Sequence, residues 1–276
     1  MIAALPLAGT RVRMPRLGFG CAQLFGGRES QASARLVECA LEAGIRHFDT
    51  APSYAFGSSE PLLGAVLQGV DGVTVTTKCG IPHPPEIRIP GRVLARRQVR
   101  RFAARVPGLG PLVQRMRGAP APYPDGAGNP RHLLDDEIEA SLERSRRNLR
   151  GRAIDVLLVH DADQFVLDGA LLDRLERLRR EGQFGAFGLC YGRPVPEAPA
   201  FGHVVQGAFA AEVRGNAPPG HRQYYGVLRP LRPGERSSER WSRLKAVLAP
   251  GSDTSVVFTS SCPRHIRELA AWAAGA

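Results

Sequence analysis

Short apolar or β-branched runs alternate along this chain with segments whose apolar residues recur at helical spacing. LGFGCA, beginning at Leu17, reads as a strand. In the following SARLVECALEAG, Leu36, Ala40 and Leu41 share one helical face before Gly44 stops it. IRHFD (45–49) is the next predicted strand, followed by a polar turn, the helix SEPLLGAVLQG and the β-branched strand VTVTTK (73–78). Asn129-Pro130 has the form of an N-cap and first helical residue. It predicts a helix to about Leu149, acidic early (Asp135, Asp136, Glu137) and basic late (Arg144, Arg146, Arg147), as the helix dipole favours. AIDVLLVH (153–160) is the apolar run of a buried strand, and Leu167, Leu171, Leu175 and Leu178 mark a helix ending at Gly182. FGAFGL, HVVQGAF, YGVLRPL and TSVVFTS supply further strands, and PRHIRELAAW a last helix.

Unbroken strand–helix alternation predicts a parallel sheet with crossover helices. At 276 residues a closed (β/α)8 TIM barrel is predicted ahead of a doubly wound sheet, with residues 1–276 as one α/β domain. Two stretches depart from an even barrel. From Lys78 to His160 is 82 residues, against roughly 30 per strand–helix unit, so 81–130 is expected to be an insertion leaving the C-terminal face after the third strand. Only 116 residues follow His160, and EVRGNAPPGHRQ (212–223) is too rich in proline and glycine for a full helix; a shortened C-terminal half is expected.

Composition narrows the class. Hydrophobic residues make up 43% and charged residues 23%, a globular balance. No run approaches the ~20 apolar residues of a membrane-spanning helix, and MIAALPLAGTRVR lacks the charge and cleavage pattern of a signal peptide. Five scattered cysteines without a CxxC pair argue against a disulfide framework or zinc site and suit a reducing cytoplasm. The net charge of +11 raises nucleic acid as a partner, but no zinc-finger, RNP-like or helix-turn-helix pattern accompanies it. Of the 37 basic residues only Lys78 and Lys245 are lysines. Nine of the arginines fall between Arg88 and Arg117, and residues 87–124 contain no acid. In RVLARRQVRRFAARV, Ala95, Val99, Phe102 and Val106 share a face while Arg96, Arg97, Arg100 and Arg101 lie elsewhere, the pattern of a basic amphipathic helix. It reads as a solvated helix face, as a lid favouring an anionic substrate, or as a membrane-surface contact.

Chemistry in barrels of this kind sits at the C-terminal ends of the strands. Asp49, Lys78 and His160 each end a different predicted strand, directly after an apolar run. Singly they read as a turn residue, a strand terminus and a core histidine; together they read as a site. HFDTAPSYAFGSSEPLLGAVL, with LGFGCAQLFGG before it and TTKCG and IDVLLVHD after it, resembles the aldo-keto reductase superfamily in a divergent, bacterial-type form. The resemblance implies a catalytic set of Asp49, Tyr54, Lys78 and His160. Tyr54 would be the general acid, Lys78 and Asp49 its tuning pair, and His160 the group that orients substrate. The chemistry is coherent: a phenol with an ordinary pKa near 10 needs a cationic neighbour to give up its proton.

The resemblance also implies a nicotinamide cofactor, NADPH by preference with NADH open, since no side chain supplies a hydride. The Ser-Asn pair that holds the carboxamide in the family becomes Cys190 and Tyr191, and the family's glutamine is kept as Gln206. Thr259 and His265 stand where a Lys and an Arg often face the adenosine phosphate, with Ser260, Arg264 and Glu268 as substitutes. Cys21, Arg229 and Ser261 complete the cofactor candidates; no metal is expected. The function implied is NAD(P)H-dependent reduction of an aldehyde or ketone. Two alternatives stay open: a cofactor-independent dehydratase, isomerase or lyase using the same groups, and a non-catalytic binding subunit.

Overall fold

The computed structural model describes residues 1–82, 130–195, 199–210, 220–231 and 234–275. The basic run with Arg96, Arg97, Arg100 and Arg101 lies outside them, as do 81–130 apart from its ends and most of 212–223. A short antiparallel hairpin, β1 (Ala4–Pro6) and β2 (Arg13–Pro15), precedes the barrel. The chain then runs through β3 (Leu17–Gly20), α1 (Ser30–Glu42), β4 (His47–Asp49), α2 (Ser59–Val66) and β5 (Thr74–Cys79). Next come α3 (Asp135–Asn148), β6 (Val156–His160), α4 (Gly169–Arg180), β7 (Ala186–Cys190) and β8 (Val204–Ala208). β9 (His221–Tyr225), α5 (Ser237–Val247), β10 (Thr254–Phe258) and α6 (Pro263–Ala274) complete it. Eight parallel strands close in the order β10-β3-β4-β5-β6-β7-β8-β9, the predicted (β/α)8 architecture.

Two apolar regions hold the barrel. Its outer face packs on the helices through Phe19, Phe48, Val75, Leu157, Leu189 and Val256, with Leu36, Leu63, Ile138, Leu175 and Ile266 opposite. Inside, Leu7, Val12 and Met14 of the hairpin meet Val156, Leu158, Ala186 and Val204, so the hairpin plugs the N-terminal end. The site is thereby left at the other end. Strand approach inside is close at β7. A Cβ on Gly188 would lie 1.8 Å from the carbonyl oxygen of Val204. Gly188→Ala is therefore expected to destabilise by about 3 kcal/mol, the upper part of the overpacking range. An unchanged urea midpoint would contradict it.

Three local expectations are corrected. The helix expected from Asn129-Pro130 begins at Asp135; Pro130 lies outside any helix, and Arg131 bridges Phe165 instead. The Glu137 carboxylate accepts from the N–H of Leu134 and closes that helix start, a local bond that outweighs the proline signal. The strand expected in YGVLRPL is displaced to His221–Tyr225, and Gly226–Arg229 form a turn. His221, Gln223 and Tyr225 point into the barrel, so this strand lacks an apolar inner face and gives no alternating signal. Leu167 precedes α4, whose buried face is Leu171, Leu175 and Leu178. The C-terminal half is shortened between β7 and β8, where 191–195 and 199–203 contain no helix.

Candidate active site

Asp49 and His160 end β4 and β6, and Lys78 is the penultimate residue of β5, side by side at the C-terminal mouth. Lys78 is 1% exposed, and its Nζ donates to Asp49 Oδ1 at 2.8 Å and to the carbonyl of Thr50 at 2.9 Å. Tyr54 reaches the same point from the turn after β4. Its ring centroid lies 4.6 Å from Lys78 Nζ and 5.7 Å from the His160 ring, with the two rings nearly perpendicular. The four groups of the resemblance therefore converge.

Two features hold this geometry. After Tyr54 the backbone runs left-handed through Ala55, Phe56 and Gly57, strained for the first two and sustained by the turn's ties. Ser58 Oγ donates to the carbonyl of Ala55 and accepts the N–H of Gly26, bolting the turn to the loop after β3. Behind Lys78, the buried Glu60 carboxylate accepts from Thr77 Oγ1 (2.7 Å), Ser145 Oγ (2.7 Å) and Asn148 Nδ2 (3.0 Å). Burial raises its pKa against these donors. The SE dipeptide thus ties α2 and α3 to the strand carrying Lys78, a structural role.

Burial and the Lys78 charge hold His160 well below its ordinary pKa, so it meets a substrate as neutral imidazole. Asp161 follows in a left-handed conformation, mostly buried, its carboxyl raised by burial and by Asp163. Asp163 is itself paired with Arg193 at 2.6 Å.

The predicted cofactor residues divide into two groups. At the nicotinamide end, Gln206 is 2% exposed and faces inward: Nε2 donates to Asp49 Oδ2 at 2.7 Å and to Gln223 Oε1 at 2.5 Å. Cys190, its thiol pushed up to about 12 by burial, donates to Gln206 Oε1 at 2.9 Å. Cys21 is buried, its backbone N–H bonded to Asp49 and its carbonyl to Ser59 Oγ. The carbonyl of Tyr191 accepts from Tyr225 Oη at 2.9 Å. Tyr225, at the end of β9, is a mouth residue that the sequence reading missed; the pair Tyr224-Tyr225 before Gly226 was its available signal. Arg229 is exposed in the next turn, its stem against Gly226.

At the other end, a recess between the end of β3, α1 and the loop from β10 to α6 is lined by Gly20, Gln23, Leu24, Leu36, Thr259, Ser260 and Ser261. A Cβ on Gly20 would stand 2.7 Å from Thr259 Oγ1, so glycine keeps its floor open. Thr259 Oγ1 donates to the carbonyl of Gly20, and Ser260 Oγ bonds both backbone groups of Cys262, shaping the start of α6. Arg264 and His265 are exposed in the first turn of α6, with Glu268 3.3 Å from Arg264. A helix N-terminus flanked by a serine and an arginine suits an anion, so this end fits the phosphates of a dinucleotide.

The mouth of this parallel β/α barrel thus joins a tyrosine, a buried lysine–aspartate pair and a neutral histidine, groups suited to proton transfer. The family is settled by comparison. The model of the Aldo/keto reductase family matches residues 16–194, and the chain belongs to this family. It is similar to D-threo-aldose 1-dehydrogenase of a Pseudomonas species, 32% identical over 191 residues, covering 66% of this chain and 51% of that protein. Pyridoxal 4-dehydrogenase of Microbacterium luteolum is 30% identical over 202 residues, covering 66% and 54%. The chain thus spans about half the length of these curated relatives. The same fold is seen in an aldo-keto reductase of Pseudomonas aeruginosa, with TM-score 0.62 at 19% identity over 99% of this chain and 94% of that one.

Proposed function

We propose that this protein is a nicotinamide-dependent oxidoreductase that interconverts a small aldehyde or ketone and its alcohol, with Tyr54 as the acid. The observation carrying this reading is the Tyr54 ring 4.6 Å from a buried ammonium that is itself fixed by Asp49. Reduction makes an alkoxide that must be protonated as it forms. The Lys78 charge beside the ring favours the phenolate left behind. Neutral His160 donates a hydrogen bond to the carbonyl oxygen and orients it toward Tyr54. A nicotinamide dinucleotide, when bound, supplies the hydride; Ser261, Arg264 and the first-turn N–H groups of α6 would hold its phosphates. NADPH is preferred, with NADH as the comparison to be run.

Two curated relatives are named for oxidation of an aldose and of pyridoxal, which places hydroxylated aldehydes and their hemiacetals first among the substrates to test. The arginine run 88–117 follows β5, whose Lys78 is in the site, in sequence and supports a preference for an anionic substrate.

Titrating the purified protein with NADPH and NADH by fluorescence quenching is expected to give micromolar binding, tighter for NADPH. Binding of neither would favour cofactor-independent acid–base chemistry on the same four groups. Changing Arg96, Arg97, Arg100 and Arg101 together to Gln is expected to raise KM for an anionic substrate and flatten its salt dependence. An unchanged KM removes that preference.

A further inference from the structure

Two acids follow His160 closely, and only one of them has its charge answered. Asp163 is paired in two-pronged fashion with Arg193, whose Nε donates at 2.9 Å and Nη2 at 2.6 Å. Among the described residues, the Asp161 carboxyl receives one hydrogen bond, from Gln164 Nε2 at the long distance of 3.5 Å. Asp161 is nevertheless only 8% exposed. Burying a carboxyl with so few donors costs free energy, and the turn does not require it. That turn is made by the backbone: the Asp161 carbonyl accepts the N–H of Gln164 at 2.9 Å, and its left-handed φ of 50° would suit glycine or asparagine equally. The surroundings put the carboxyl at the mouth. A Cβ on Gly192 would lie 3.2 Å from Asp161 Oδ1, so the glycine after Cys190-Tyr191 leaves the space the carboxyl uses. Its charge bears on Cys190 at the end of β7 and on Tyr225 at the end of β9, and the Lys78 charge bears on it in turn.

We propose that Asp161 is a specificity-determining residue whose carboxyl accepts a hydrogen bond from a substrate hydroxyl on the carbon next to the carbonyl that His160 orients. The inference rests on the reading of this protein as a carbonyl oxidoreductase and narrows its substrates to 2-hydroxyaldehydes and the corresponding hydroxyketones. A carboxyl oxygen calls for an O–H or N–H donor. The Lys78 ammonium acts on the same space and disfavours a cationic group there, while a carboxylate at that carbon would meet like charge. A neutral hydroxyl is the donor that fits. It would supply the partner that the protein does not, and a substrate without it leaves the buried carboxyl short of donors.

The probes are 2-hydroxypropanal and propanal, which differ by the one hydroxyl. Asp161→Gly removes the carboxyl and suits the left-handed backbone. It is expected to lower the ratio of kcat/KM for 2-hydroxypropanal to that for propanal, with NADPH, by about tenfold to a hundredfold against wild type, as for a lost hydrogen bond to a charged group. Comparing ratios between proteins cancels the hydration of the aldehydes. Asp161→Asn keeps an acceptor oxygen without the charge and should retain part of the preference, with a fall of about threefold to tenfold. A ratio that stays within about twofold of wild type in Asp161→Gly, whether both constants fall together or neither does, would make Asp161 a structural turn residue and overturn the proposal. If Asp161→Gly does not fold, the same result in Asp161→Asn is equally decisive against. Saturation-transfer NMR in the presence of NADP+, which cannot reduce the aldehydes, compares their binding without turnover. Wild type should hold 2-hydroxypropanal more tightly than propanal and Asp161→Gly should not; equal binding by wild type would overturn the proposal as well. A wild-type protein that reduces neither aldehyde would sink the reductase reading alone, because the binding comparison still decides the role of Asp161.

Discussion

Tyr54→Phe is expected to lower kcat for carbonyl reduction by about 10²–10⁴-fold, the range of a lost general acid. The size follows from what surrounds the phenol. His160 is held neutral by burial and by Lys78, so it donates a hydrogen bond but has no imidazolium proton to give near neutral pH. Cys190 and Cys21 have thiols pushed up by burial and face the interior. Lys78 is enclosed, with Asp49 and the carbonyl of Thr50 on its donors. Tyr54, only partly buried, is the group at the mouth with a proton to transfer and a cation beside its conjugate base. Phe keeps the ring over Lys78, so the fold and the NADPH Kd should hold while kcat and kcat/KM fall together, the mark of an interaction made in the transition state. Single-turnover rates measure this step directly. A variant retaining more than about a tenth of wild-type turnover would remove Tyr54 as the acid.

Much of the barrel was legible because its outward strand faces and inward helix faces are apolar and follow simple periods. The same holds for the ends of β4, β5 and β6, where an ionisable residue follows an apolar run. What periodicity does not encode is the inner face of the barrel. His47, Thr76, Gln206, His221, Gln223 and Ser255 point inward and hydrogen-bond across strands distant in sequence, so β9 reads as a loop and its inward polar residues as connection. The N-terminal hairpin was hidden for the opposite reason: Leu7, Val12 and Met14 acquire a partner only when the barrel presents its open end. Gln206 shows the limit for the site. Its position in sequence fits a cofactor ligand, and only the fold brings Asp49 to within 2.7 Å of its amide.

The polar interior makes a second large effect: the protein is expected to lose stability steeply as pH falls from about 7 toward 4. His47 and His221 are buried and neutral, with pKa values lowered to about 4 chiefly by desolvation. His47 Nε2 pairs with Thr76 Oγ1, while its Nδ1 is buried without a hydrogen-bond partner and lies against Gly18, so a second proton there meets no acceptor. The unfolded chain takes up a proton on each ring near pH 6.5, whereas the folded chain resists until about pH 4. The unfolded state therefore binds more protons across this window, and the contribution of the two rings, constant above about pH 7, is lost as pH falls. Each ring contributes about 2 kcal/mol of loss by pH 5 and about 3 by pH 4, and His160 adds to it in the same direction. Glu60, Asp155 and Asp161 work against this, since their raised carboxyls take up protons in the folded state first. A combined loss of several kcal/mol is comparable with the whole stability of an ordinary domain. Urea unfolding at a series of pH values measures it, and His221→Gln, which keeps a hydrogen-bonding group for Ser255 Oγ, should flatten the slope by about one proton. A wild-type unfolding free energy that changes by less than about 1 kcal/mol between pH 7.5 and 5 would mean that these rings accept protons in the folded barrel. The reading of His47 and His221 as neutral interior rings would then have to be abandoned.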